Sequence, residues 1–251
     1  MITLTTDFGS PYPAAMKGVI CQRTDARIED IAHDLPRQDV RAAAFWLTQT
    51  LPYFPPAVHC VVVDPGVGTD RAALVVRAGD HALVGPDNGV LLPAARKLAD
   101  EIEVFRWSYE DPESSTFHGR DVFAPAAATI HNHGVTGLEE LPRTSRTDGY
   151  VDRRFPTPTI NRDRARGEVL VVDDFGNAIT NISGEELAAH ASETVTVNGR
   201  RASVRRAYAG VEAGEPLVTV GSHGNVELAV NRGRGDEAFD VAAGDDFDLR
   251  W

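Results

Sequence analysis

Apolar and polar positions follow two distinct rhythms along this chain of 251 residues. In the first half, β-branched runs are separated by Ala-rich stretches whose apolar positions recur at helical spacing. Ile2 to Thr6 and Val58 to Val63 read as strands, and Val40 to Leu51 as a helix carrying Phe45, Trp46 and Leu47 for packing. Leu74 to Arg77 and Ala82 to Val84 read as strands joined by the turn Ala78-Gly79-Asp80-His81, with helices over Leu91 to Asp100 and Val122 to His131. This alternation predicts an α/β domain over residues 1–150 with a central, mainly parallel sheet. Between 151 and 166 the periodicity fades into prolines, arginines and threonines, including Phe155-Pro156-Thr157-Pro158, and a linker is expected. Residues 167–251 hold short strand-like runs at Glu168 to Val172, Thr194 to Val197, Ala202 to Arg205, Leu217 to Val220, Val226 to Val230 and Phe247 to Leu249. Asn198-Gly199 between two of them suits a type I′ hairpin, so this half is expected to be a smaller antiparallel β-barrel, interrupted by a short helix over Glu185 to His190.

Composition narrows the classes of partner. A 42% hydrophobic share with 25% charged residues is that of a folded globular chain. Acids outnumber bases 37 to 25, and the formal charge of -12 repels a polyanion, which argues against nucleic acid. Lysine occurs only at Lys17 and Lys97, a bias that fits either a salt-rich cytoplasm or a biased genome. No apolar run is long enough for a membrane helix and the start lacks a basic leader, so a cytoplasmic enzyme with no membrane partner is expected. Cys21 and Cys60 lack metal-ligand spacing and read as small buried hydrophobes.

Candidate chemistry stands where strands end, because ligands of α/β sheets collect outside the carboxyl ends of strands. Asp7 follows the first strand, and Asp64 follows Val58 to Val63, ahead of Pro65-Gly66-Val67-Gly68. Each also fits a turn or a helix cap. Arg71 can fold back across the tight turn after Asp64 and orient its carboxylate. His118 lies in the polar loop Ser114 to Asp121, and taken alone it fits a helix-entry residue. An aspartate, an arginine and a histidine together can hold and polarise a water. In the second half, Asp173-Asp174-Phe175-Gly176-Asn177 offers a carboxylate, a ring for stacking and an amide able to pair both edges of adenine, although an Asx turn accounts for it as well. Ser222-His223-Gly224 and Asn231-Arg232-Gly233 are similar loops.

In register, the blocks Leu4-Thr5-Thr6-Asp7-Phe8-Gly9, Met16-Lys17-Gly18-Val19-Ile20, Tyr53-Phe54-Pro55-Pro56, Val61-Val62-Val63-Asp64-Pro65-Gly66-Val67-Gly68, Gly85-Pro86-Asp87-Asn88-Gly89, Thr116-Phe117-His118-Gly119-Arg120-Asp121, Phe175-Gly176-Asn177 and Ala229-Val230-Asn231-Arg232-Gly233 span almost the whole chain. With them the chain resembles the S-adenosylmethionine hydroxide adenosyltransferase family, relatives of the fluorinases and chlorinases. The resemblance implies an α/β domain followed by a β-barrel, and hydrolysis of S-adenosyl-L-methionine to adenosine and L-methionine by in-line attack of water or hydroxide at the ribose 5′-carbon. It implies a homotrimer with substrate between neighbouring subunits, and neither cofactor nor metal. It places Asp64, Arg71 and His118 on the water-activating trio, Asp7 on the ribose-diol carboxylate, and Phe117 in the reacting pocket. Asp173, Phe175 and Asn177 fall on adenosine contacts, Ser222 and His223 on the methionine end, and Phe8 and Asn231 on further substrate-binding positions. Asp64 stands where fluorinases look to carry tyrosine and chlorinases glycine, and its charge disfavours a halide but suits a hydrogen-bonded water. The segment Ser10 to Ala15 departs from the family pattern in lacking an acidic residue for the methionine amine.

Three other readings stay open on sequence: a halide-using adenosyltransferase, a metal-dependent hydrolase built on His118, His131 and His133, and a non-catalytic sensor of adenosine compounds. His131 and His133 lie two apart, so on one helix they face different ways. A sensor has no need of the Asp64, Arg71 and His118 trio.

Overall fold

The computed structural model describes residues 1–110, 112–188, 190 and 193–251. The chain divides into two compact units, Met1–Arg154 and Phe155–Trp251.

The first unit is built on seven strands: β1 (Ile2–Thr6), β2 (Ile28–Ala32), β3 (Val58–Val62), β4 (Ala73–Ala78), β5 (His81–Pro86), β6 (Ile102–Trp107) and β7 (Thr144–Arg146). Their order is β2-β1-β3-β5-β4-β6-β7. The first four in that order run parallel, and β4, β6 and β7 extend the sheet antiparallel. Four helices accompany it: α1 (Tyr12–Cys21), α2 (Val40–Thr50), α3 (Leu92–Leu98) and α4 (Ala124–His133). Successive strand residues point to opposite faces, so an unbroken apolar run feeds two cores. Cys60 and Val62 of β3 pack with Met16 of α1 and Ala127 of α4, whereas Val61 packs with Leu47 of α2 and Leu92 of α3.

Cys60 is fully buried and its thiol is pushed up to about 12 by that burial. Cys21, also expected inside, is exposed. The buried face of α1 is Pro13, Met16 and Ile20, and Cys21 turns away from it.

The topology sets where a ligand can bind. The chain leaves β1 through α1 to reach β2 on one side, and leaves β3 toward β4 on the other. Neighbouring parallel strands whose connections depart in opposite directions leave a crevice at their carboxyl ends. Asp7 and Asp64 are the acidic residues within two positions of those ends.

The second unit contains β8 (Thr159–Ile160), β9 (Arg164–Val172), β10 (Ala178–Ser183), β11 (Thr194–Val197), β12 (Arg200–Val204), β13 (Pro216–Val220), β14 (Asn225–Val230) and β15 (Asp246–Arg250), with short helices α5 (Gly184–Ala188) and α6 (Gly235–Phe239). The order β10-β14-β13-β12-β11-β15-β9 closes on itself through β9–β10, and β8 adds to β9. Pairing is antiparallel except between β12 and β13. Closure buries Val197, Val218, Leu228, Phe247 and Leu249 in one core and leaves no open sheet edge in the ring. Asn198 at φ 50° and Gly199 at φ 84° make the expected two-residue turn between β11 and β12. Residues 159–160 and 164–166, read as linker from sequence, are strand. Arg164 and Arg166 alternate outward around buried Ala165, which hides the period. The helix expected over Glu185 to His190 is α5, and Ala189 within that span lies outside the described residues.

A buried polar row crosses the first sheet. His59 Nδ1 lies 2.8 Å from Thr3 Oγ1, and its Nε2 lies 2.9 Å from His81 Nδ1. Burial, with a contribution from His81, holds the His59 pKa down to about 3, from an ordinary 6.5. The unfolded chain takes up this proton near its ordinary pKa while the folded chain stays neutral, so stability is full above 6.5 and falls as pH drops toward 3. Urea unfolding at a series of pH values is expected to show a His59→Gln variant losing less stability than the parent between about pH 6 and about pH 4, where one such proton accounts for up to about 1.4 kcal/mol per pH unit. Identical slopes would assign the acid sensitivity elsewhere.

Candidate active site

The crevice between β1 and β3 opens into a cavity of about 480 Å³. Asp7, Phe8, Asp64, Phe117 and His118 all line it, and so do Tyr12, Arg37, Gln38, Val62, Val67, Thr116 and Gly119.

Asp64 is positioned by the turn that follows it. The Val67 amide donates to the Asp64 carbonyl at 3.2 Å, and the Thr69 amide and hydroxyl both donate to the Gly66 carbonyl, at 3.1 and 2.7 Å. Gly68 sits at φ 79°, and a Cβ there would lie 2.7 Å from the Ser115 carbonyl oxygen. A side chain at 68 would therefore force this turn away from the loop that carries His118. Past the turn, Arg71 folds back: Nε donates to Asp64 Oδ1 at 3.0 Å and to Oδ2 at 3.1 Å, and Nη2 donates to Oδ2 at 2.5 Å. Only 9% of the Arg71 side chain and 4% of the Asp64 side chain are exposed. Removing one partner of such a buried pair costs about 3–5 kcal/mol, because the other charge is left uncompensated.

The same Nη2 lies 2.8 Å from His118 Nδ1. Guanidinium nitrogens only donate, so Nδ1 must offer its lone pair and the ring proton of neutral His118 resides on Nε2. Burial, reinforced by the Arg71 charge and opposed by Asp64 and Asp121, lowers the His118 pKa and favours that neutral form. The Phe123 ring lies 4.9 Å beneath the guanidinium carbon, and Tyr109 meets His118 edge-on. Arg71 thus braces a carboxylate and an imidazole that both face the cavity. The His118 loop is shaped locally as well. Asp121 accepts from the Ser114 amide at 2.9 Å and from Arg120 Nε at 2.5 Å, and a π-helical turn over Gly119–Phe123 leads into α4. That turn displaces the start of the helix expected from Val122.

On the opposite wall, Asp7 is only 7% exposed and accepts the Gln38 amide at 2.6 Å. Gln38 adopts φ 60°, a left-handed conformation that costs a side chain about 1 kcal/mol or more. The following Asp39 caps α2 by accepting from the Ala42 amide at 2.9 Å. Phe8, Tyr12 and Phe117 meet edge to face at 5.6 to 6.5 Å. Tyr12, Arg37 and Gln38 escaped the sequence reading. The Asp39 cap was the available signal, because a helix entry beside a strand end brings the preceding residues into the crevice.

In the second unit, Asp173, Phe175 and Asn177 share one turn. Asp173 Oδ1 accepts the amides of Phe175 and Asn177 at 3.0 and 2.8 Å, its Oδ2 accepts Asn177 Nδ2 at 3.0 Å, and Phe175 is 80% exposed. Ser222 and His223 occupy the turn between β13 and β14, where the Gly221 amide donates to the Asn225 carbonyl at 2.9 Å. Asn231 follows β14, with its Nδ2 donating to the Val211 carbonyl at 2.8 Å. The histidines considered for a metal are engaged separately: His131 Nδ1 lies 3.3 Å from the Met1 amine, and His133 Nε2 lies 2.8 Å from the Gly137 carbonyl. Among the described residues no three His, Cys, Asp or Glu side chains group as a metal site, and no helix is long and apolar enough to cross a membrane.

The family model described as SAM hydroxide adenosyltransferase N-terminal domain matches residues 2–141, and that described as SAM hydroxide adenosyltransferase C-terminal domain matches 167–248. A Salinispora tropica protein named (R)-S-adenosyl-L-methionine hydrolase is 40% identical, over 97% of this chain and 95% of its own length. A Thermus thermophilus protein of the same name is 41% identical, over 95% of each chain. The crystal structure of an uncharacterized conserved protein from Thermotoga maritima superposes with a TM-score of 0.87 at 34% identity, covering 100% of both chains.

Ring NMR is expected to find the His118 proton on Nε2, with a midpoint below 6.5. Because the Arg71 charge lowers that midpoint, Arg71→Ala should move it upward; a midpoint unmoved in the variant would remove Arg71 as the bracing group.

Proposed function

The chain belongs to the SAM hydroxide adenosyltransferase family, and from that premise we propose that it hydrolyses S-adenosyl-L-methionine to adenosine and L-methionine. The observation that carries this reading is the joining of Asp64 and His118 through Arg71 at the wall of a cavity that Asp7 also lines.

Water is held between two complementary groups. The His118 Nε2–H donates to its oxygen, and an Asp64 carboxylate oxygen accepts one of its hydrogens, leaving an oxygen lone pair aimed at the ribose 5′-carbon. The new bond joins that oxygen to the 5′-carbon. The carbon–sulfur bond breaks with its electron pair going to sulfur, and the water proton leaves by way of Asp64 to solvent. Sulfur departs as a neutral thioether, so no acid has to protonate it. Catalysis here is chiefly positioning and exclusion of bulk water. Arg71 acts as a positioning residue from behind the wall. Asp7 holds the ribose diol, Phe8 and Phe117 line the reacting pocket, and Asp173, Phe175 and Asn177 contact adenosine, with Ser222 and His223 at the methionine end. The resemblance supports these assignments, as it supports a homotrimer with substrate between neighbouring subunits. A cytoplasmic location and the absence of a cofactor complete the proposal, the latter because the sulfonium itself activates the carbon.

Asp64 also weighs against the halide-using alternative, since a carboxylate in the nucleophile's place repels an anion. Incubation with S-adenosylmethionine, with and without chloride or fluoride, is expected to yield adenosine and methionine only. A 5′-halo-nucleoside would identify halide transfer, and no product at all would favour the sensor. The relatives' name specifies the (R) configuration at sulfur, so the two epimers are to be supplied separately and the (R) form is expected to turn over faster. Asp64→Ala should lower kcat by roughly 100-fold or more; undiminished turnover would take Asp64 out of the mechanism. The rate should fall on the acid side only below pH 6.5, as His118 becomes protonated and loses its bond from Arg71.

A further inference from the structure

Behind the Asp173–Asn177 turn lies a hydrogen-bonded row that the reaction as described leaves without a role. Asn177 is 7% exposed, and its Nδ2 donates to Asp173 Oδ2 at 3.0 Å. A carboxylate offers only acceptors to this contact, so the amide atom facing it is the nitrogen. The other hydrogen of Nδ2 faces the Tyr208 hydroxyl oxygen, 3.5 Å away. Tyr208 in turn donates its hydroxyl proton to Glu227 Oε2 at 2.9 Å, so its oxygen meets Asn177 with a lone pair. Burial and the neighbouring Glu227 push the Tyr208 phenol up to about 12, and the hydroxyl keeps that proton at neutral pH.

Glu227 is itself 4% exposed, and its place is built into the fold. A Cβ at Gly221 would collide with the Glu227 carboxylate, so a side chain there would displace it from this position. Glu227 therefore sits against the turn that carries Ser222 and His223, and reaches Asn177 through Tyr208. Nδ2 of Asn177 thus has two acceptors within the protein, one for each hydrogen, whereas its Oδ1 accepts no bond among the described residues.

We propose that Tyr208 and Glu227 are positioning residues that occupy the second Asn177 amide hydrogen, so that only the acceptor Oδ1 faces the ligand and the site selects a purine bearing an exocyclic amino group over its 6-oxo counterpart. This rests on the assignment of Asn177 to adenosine. An amide able to offer either edge would tolerate both bases. One reduced to its acceptor sets oxygen against oxygen with a 6-oxo base, and a buried unpaired acceptor corresponds to roughly 10- to 100-fold in affinity.

The test is calorimetric binding of adenosine and of inosine, the 6-oxo nucleoside, to the intact protein, Tyr208→Phe and Glu227→Leu, with melting temperatures to establish folding. The intact protein should prefer adenosine by roughly 10- to 100-fold. Tyr208→Phe frees the second amide hydrogen and should shrink that preference about tenfold, by strengthening inosine binding. Glu227→Leu should shrink it in the same direction, and Glu227→Gln, which keeps an oxygen to accept the Tyr208 proton, should restore it. Equal binding of the two nucleosides by the intact protein would overturn the inference, as would an unchanged preference in a folded Tyr208→Phe or Glu227→Leu variant. A protein that prefers adenosine as described but fails to hydrolyse S-adenosylmethionine would retain this inference and lose the hydrolase reading; the reverse result would separate them the other way.

Discussion

A guanidinium carries five donors and no acceptor, and Arg71 commits its donors to a carboxylate and an imidazole that come from segments far apart in sequence. The geometry of the two segments that meet at the cavity wall follows from satisfying this one group. The turn from Asp64 to Thr69 must be tight enough for Arg71 to return, and the loop before α4 must bring His118 Nδ1 within reach. Because the side chains of Arg71 and Asp64 are almost wholly out of water, a loosened geometry would leave a buried charge unpaired. Stability and chemistry therefore favour the same arrangement, and the imidazole has its protonation pattern set by the structure rather than by solvent.

The sheet supplies the place where such a cluster can matter. Parallel strands β1 and β3 end side by side, and their outgoing connections diverge, so residues just beyond them face a hollow instead of a core. Asp7 and Asp64 occupy its two sides under different constraints. One accepts a backbone amide from Gln38, and the other accepts a side-chain fork from Arg71. Identical side chains thereby acquire unlike surroundings.

The barrel works by a comparable economy of donors and acceptors. Asp173 organises its turn by accepting two backbone amides and one side-chain amide, and Tyr208 donates a hydrogen bond to a glutamate whose carboxylate lies where a Cβ at Gly221 would stand. Buried polar groups of this kind must find partners, and the partners they find engage the Asn177 amide nitrogen and not its oxygen.

Much of this was legible in the order of residues. Periodicity located β1, β3, α2 and the Asn198-Gly199 turn, and the acid after each parallel strand marked the crevice. It did not locate α1, β6 or β10, and it missed β2, whose Glu29 and Asp30 interrupt the apolar run, and the first residues of β9, whose outward arginines resemble a linker. It placed Asp64, Arg71 and His118 as candidates without saying which imidazole nitrogen meets the guanidinium, and it passed over Gln38, Tyr208 and Glu227 altogether. The sequence alone determined strands, turns and the Asp64 to Arg71 return, because these depend on covalent neighbours and on a repeat of two or 3.6 residues. Only the tertiary structure decided the His118 tautomer, the left-handed Gln38 beside Asp7 and the Glu227–Tyr208–Asn177 row, because donor and acceptor roles are settled by which distant segments share a boundary once water has been excluded.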